Sequence, residues 1–71
     1  MERFLRYSLE HGRAIRAVFL LEGAMIQKTV SVLALENGTV TLRLGARKKP
    51  LTLPLGDILS CDYARGDHGD E

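Results

Sequence analysis

Apolar residues in the first eleven positions recur at helical spacing. Phe4, Leu5, Ser8 and Leu9 fall on one side, with Glu2, Arg3, Arg6 and Glu10 on the others. Gly12 follows directly and is a natural helix terminator. Three turns are marginal alone in water, so this helix is predicted to bury its Phe4/Leu5/Leu9 stripe against the rest of the chain. From Arg13 the period changes to two. In Arg13–Glu22, Ile15, Ala17, Phe19 and Leu21 share one face, but Val18 and Leu20 make the opposite face apolar as well. A strand of this kind is covered on both faces, here by the helix, by a bend in the sheet or by a partner. Gly23-Ala24 is read as a turn. Met25–Glu36 is a long second strand in which Ile26, Val30 and Val32 share a face before Leu33 and Leu35 take the opposite phase. A phase slip inside a strand predicts a bulge or sharp bend.

Asn37-Gly38 is the strongest turn signal in the chain, because both residues tolerate the positive φ of a type I′ hairpin. Thr39–Leu44 then alternates cleanly, with Val40, Leu42 and Leu44 inward. After a basic loop, Gly45–Lys49, Leu51, Leu53 and Leu55 alternate with Thr52 and Pro54. Proline has no amide hydrogen for a ladder, so this strand is placed at a sheet edge. Gly56-Asp57 forms a turn, and Ile58–Tyr63 is the last strand. The expectation is one mainly β domain over residues 1–63, an N-terminal helix followed by five antiparallel strands closing into a small barrel. Residues 64–71 are read as a disordered polar tail.

Composition narrows the class. Seventy-one residues bury only about 60–65% of their unfolded surface, which leaves a thin margin of stability and makes self-association reasonable. Net charge is +1, too small for a strong pull on nucleic acid by the molecule as a whole. Five of the nine acidic residues lie at or after Asp57, so the preceding chain is basic. The lone Cys61 makes no internal disulfide, which fits a reducing compartment. No run approaches the roughly 18 apolar residues of a membrane span, and residues 1–30 lack a signal-peptide pattern. The expectation is a cytoplasmic protein without membrane association.

One helix followed by about five bent strands is similar to the plan of Sm-like and SH3-like barrels. Residues 11–63 resemble the WYL domain, a Sm-like module of bacterial regulators. The likeness lies in the strand Arg13-Ala14-Ile15-Arg16-Ala17-Val18-Phe19 and in the closing stretch Leu53-Pro54-Leu55-Gly56-Asp57-Ile58-Leu59-Ser60. Where that family has Trp-Tyr-Leu, this chain has Val40-Thr41-Leu42, so only Leu42 matches, and no ligand-contacting residue is carried over. More distantly, the strand-turn-strand pattern with Leu55-Gly56-Asp57-Ile58-Leu59 resembles the small Rho-binding antiterminators, also Sm-like. These resemblances imply a barrel with a regulatory binding role.

Candidate chemistry is sparse. Arg47, Lys48 and Lys49 form the one basic run and, with Arg43 exposed on the preceding strand, make a candidate nucleic-acid or anion patch. The ordinary alternative is a solvated loop. Of the aromatic residues Phe4, Tyr7, Phe19 and Tyr63, at least two are expected to be buried, which leaves few platforms for stacking bases. Arg13, Arg16 and Lys28 are expected near one another on the outer wall, paired with Glu22 or Glu36 or forming an anion site. His11 and His68 show no metal-ligand spacing, and no metal or other cofactor is expected. Cys61 is read as a small buried hydrophobe, Asp57 as a turn residue and Asp62 as a strand-end charge. Arg65-Gly66-Asp67 is read as a chance tripeptide. No phosphate loop, serine elbow or acid-base pair is present, so no enzymatic activity is expected. Val18 and Leu20, with Met25, Leu33 or Leu35, form a candidate oligomer interface, since Sm-like barrels commonly associate through strand edges. The functional expectation is a non-enzymatic binding module of a regulatory protein that recognises nucleic acid, a small anionic ligand or a protein partner. The alternative is a structural domain forming a homo-oligomer.

Overall fold

A computed structural model of the chain describes residues 2–45 and 49–66. Its elements are helix α1 (Glu2–His11), strands β1 (Ile15–Leu21), β2 (Ala24–Glu36), β3 (Thr39–Arg43) and β4 (Leu51–Pro54), a 3-10 turn (Leu55–Asp57) and strand β5 (Ile58–Tyr63). All neighbouring strands are antiparallel, in the order β4-β3-β2-β1-β5. The protein is mainly β, as its alternation predicts. The sheet is not closed into the expected barrel, because β4 and β5 remain its two edges. β4 ends at Pro54, which cannot donate to another strand. The 3-10 turn then redirects the chain, with the Leu55 amide donating to the Gly38 carbonyl at 2.9 Å.

Strand β2 joins the two halves of the sheet. Its first part pairs with β1, from Ala24 opposite Leu21 to Val30 opposite Ile15. Its second part pairs with β3, from Ser31 opposite Arg43 to Glu36 opposite Thr39. The phase slip read from the sequence falls in this second part. The register shifts between Val32 and Ala34, leaving Leu33 as the extra, exposed residue and returning Leu35 opposite Val40. A second bulge lies in β5, where Leu59 is the extra residue opposite Val18 and Phe19. Bulges increase local twist and bend the strand, and both halves bury their inner faces in one core. That core comprises Leu5, Ile15, Ala17, Phe19, Val30, Val32, Val40, Leu42, Leu53 and Ile58.

Both two-residue hairpins have positive φ at each central residue. Asn37 and Gly38 sit at 53° and 75° as expected, while Glu22 and Gly23 sit at 51° and 81°, one residue earlier than the anticipated Gly23-Ala24 turn.

Helix α1 packs chiefly on β2, reaching also to β1 and β5. Its inward stripe is Leu5 and Ser8, whereas Leu9, expected in the stripe, is 37% exposed. Past the Ile15–Val30 pair, β1 offers β2 no further partner. The Val32 amide instead donates to the Ser8 hydroxyl at 2.9 Å in a buried hydrogen bond. The Ser8 carbonyl accepts the Arg13 amide at 3.2 Å, closing the helix around Gly12 at φ 65°. One residue thus ends the helix and caps the strand. Substituting Ser8→Ala strands a buried amide, a loss of about 1–3 kcal/mol. Chemical denaturation should show a lower midpoint with an unchanged slope, and Ser8→Thr should recover part of the loss.

Candidate functional site

Along α1, Phe4, Tyr7 and His11 follow one another at spacings of three and four, so they form a stripe beside the buried Leu5 and Ser8. Docking the helix brings this stripe over Tyr63, the last residue of β5. The Phe4 and Tyr63 ring centroids are 4.8 Å apart at 73°, and Tyr7 and Tyr63 are 5.2 Å apart at 79°, both edge-to-face. The His11 imidazole lies 5.0 Å from the Tyr7 ring, and the Arg3 guanidinium lies 5.2 Å over Phe4. Arg3, Arg6, Tyr7, Glu10, His11 and Tyr63 line a groove of about 460 Å³, within the range of about 300–1,000 Å³ usual for small-ligand clefts.

The charges of the groove are mixed, with the Arg3 and Arg6 guanidinium groups against the Glu10 carboxylate and the His11 imidazole beside them. Arg6 also reaches Glu2 at 2.8 Å, an exposed helical pair of the kind worth a few tenths of a kcal/mol, so a stronger anion can displace it. Tyr63 is held from outside the groove. Arg16 donates from Nε to the Tyr63 carbonyl at 3.1 Å and from Nη2 to Asp62 Oδ2 at 3.3 Å. At least two of the four aromatic residues were expected to be buried. Only Phe19 is fully buried, and Phe4, Tyr7 and Tyr63 are half-buried at the surface. The Phe4-Tyr7-His11 spacing was the available signal, but Tyr63 lies more than fifty residues away and joins it only in the fold.

The residues singled out from sequence are dispersed. Arg43 is exposed at the end of β3 and lines a separate cavity of about 310 Å³ with Ala14, Thr29, Val30, Ser31, Leu44 and Gly45. Lys49 is exposed before β4, and Arg47 and Lys48 lie outside the described residues, as do His68 and the tail from residue 67. Arg16 pairs with Asp62 rather than with Glu22 or Glu36. Lys28 stands opposite Ala17 and Arg16 opposite Thr29, so these two cations project from opposite faces of the β1–β2 ladder.

The apolar candidates divide similarly. Val18 is half-buried between Gln27 and Ser60, and Leu20 stands opposite Met25. The Leu59 bulge lies close by, and Leu20, Met25 and Leu59 are 36%, 69% and 46% exposed, so α1 does not cover this face. Leu33 is exposed eight residues farther along β2, and Leu35 turns back against the core.

Cys61 is half-buried against the core opposite Ala17, and burial pushes its thiol pKa up. This is the reverse of the environment that activates a cysteine. Among the described residues no group of three His, Cys, Asp or Glu side chains is placed to hold a metal, and no helix is long and apolar enough to cross a membrane. No known family model, curated protein or solved structure matches the chain.

The Cys61 environment has a measurable consequence. Because the folded state raises the thiol pKa, it retains the proton that the unfolded chain loses first. The thiol's contribution is therefore constant below the unfolded pKa, and stability declines as pH rises above it. Alkylation of the folded protein by iodoacetamide at mildly alkaline pH should be slower than that of the denatured chain. Equal rates would show an open thiolate.

Proposed function

We propose that the chain is a non-enzymatic binding module of a cytoplasmic regulatory protein, one that recognises nucleic acid or a small anionic ligand. The observation that supports this reading is the groove between α1 and the end of β5, where Arg3, Arg6 and His11 surround the two tyrosine rings. Cations on the helix attract phosphate or carboxylate, and the rings offer an apolar wall for whatever the anion is attached to. Arg43, Arg47, Lys48 and Lys49 make a second basic stretch of the sequence that a longer nucleic acid would engage through its backbone. The Sm-like plan suggested by the sequence agrees with a regulatory role.

Binding of short oligonucleotides should weaken linearly on a log–log salt plot, with a slope of about −0.7 per phosphate contacted for single strands. The double variant Arg3→Gln/Arg6→Gln should flatten that slope by about 1.4, and Arg47→Gln/Lys48→Gln/Lys49→Gln should flatten it further for longer oligomers. Salt-independent binding, or no binding at low salt, would refute nucleic-acid recognition and leave only a small anionic ligand.

A second reading is supported by the exposed Leu20, Met25 and Leu59 side chains, which the β1–β2 and β1–β5 registers bring near one another. Apolar side chains gathered on an outer sheet face favour self-association, and here the protein would be a structural domain that forms a homo-oligomer through this face. Light scattering should then show a dimer or larger assembly at micromolar concentration that Met25→Lys/Leu59→Lys reduces to monomer. A monomer throughout that range would remove this reading and leave the first intact.

A further inference from the structure

We infer that the groove takes an unpaired nucleobase carrying an exocyclic amino group, so that the ligand of the proposed module is single-stranded nucleic acid. The inference rests on the binding-module reading and narrows it.

Glu10 is the first reason. A site for a bare phosphate or carboxylate gains nothing from a carboxylate in its wall, yet Glu10 lines the groove beside Arg3, Arg6 and His11. An anion joined to a group with amine donors resolves the conflict. The arginines and imidazole meet the phosphate, and Glu10 accepts a hydrogen bond from the amino group of adenine, cytosine or guanine.

The rings are the second reason. Tyr7 and Tyr63 both line the groove and hold each other edge-to-face at 5.2 Å, with Phe4 bracing Tyr63 at 4.8 Å. Their positions are set before any ligand arrives, so stacking a base costs little ordering of side chains. In a duplex the bases are stacked on one another and their faces are closed to a groove of this kind. A single strand offers them freely, and base–aromatic stacking is a general mode of single-strand recognition.

The composition of the chain provides a direct readout. It contains two tyrosines and no tryptophan, and both tyrosines line the groove. Intrinsic tyrosine emission therefore reports on this site alone. The test compares oligo-dA, oligo-dT and an abasic strand of equal length, which has the same phosphates without bases, by fluorescence titration at low salt. Oligo-dA should quench the emission and bind about 5- to 150-fold more tightly than the abasic strand, the range expected for one stacked base. Tyr7→Leu should remove that advantage, and Tyr7→Phe should retain it. Glu10→Gln should narrow the preference for dA over dT. A melting profile of each variant like that of the parent chain keeps the comparison about binding. Equal affinity for oligo-dA and the abasic strand would overturn base stacking and leave the anion-binding reading standing. Equal affinity for dA and dT would overturn amino-group recognition. Absence of binding by all three strands would overturn both this inference and nucleic-acid recognition by the module.

Discussion

The hydrogen bond from the Val32 amide to the Ser8 hydroxyl is the contact on which the architecture turns. β2 pairs with β1 as far as Val30 and with β3 from Ser31 onward, so the Val32 amide, on the side that β1 has left, faces the interior without a strand partner there. Leaving it unmade would cost about as much as a large share of the roughly 3–5 kcal/mol that a chain of this size commands. Ser8 satisfies it from a helix that could not persist alone, and the helix gains a fixed azimuth in return, with Leu5 seated in the core and the Phe4-Tyr7-His11 stripe turned to one side.

That azimuth creates the groove. Tyr63 ends an edge strand, where a large aromatic ring would otherwise lie over solvent. With α1 docked, it is packed by Phe4 and Tyr7 and its backbone is held by Arg16. The groove is thus a by-product of the same docking that completes the core, so its shape and the stability of the fold are coupled. Any change that loosens Ser8 from Val32 should also blur the position of the rings.

Much of the architecture was legible because each strand writes its own signal. The Asn37-Gly38 hairpin, the β5 limits and the proline at the edge follow from local chemistry, while the first hairpin was expected at Gly23-Ala24 and turns one residue earlier, at Glu22-Gly23. The slip between Val32 and Leu35 anticipated a bulge that is indeed there. The barrel expectation failed at closure. Whether β4 and β5 meet depends on the path of the chain through the 3-10 turn at Leu55–Asp57, which no alternation pattern records. The oligomer candidates were chosen by phase alone. The bulge separated them, exposing Leu33 and returning Leu35 to the core.

The sequence by itself determined the class of the fold, the number and order of its elements, and the inward faces of β1 and β3, because periodicity and turn chemistry act over a few residues. Tertiary structure alone decided that the sheet stays open, that Ser8 rather than Leu9 faces inward, and that Tyr63 meets Phe4 and Tyr7. Those outcomes depend on where a helix and a strand end more than fifty residues apart come to rest. Only the satisfaction of one buried amide and the filling of one core fix that placement.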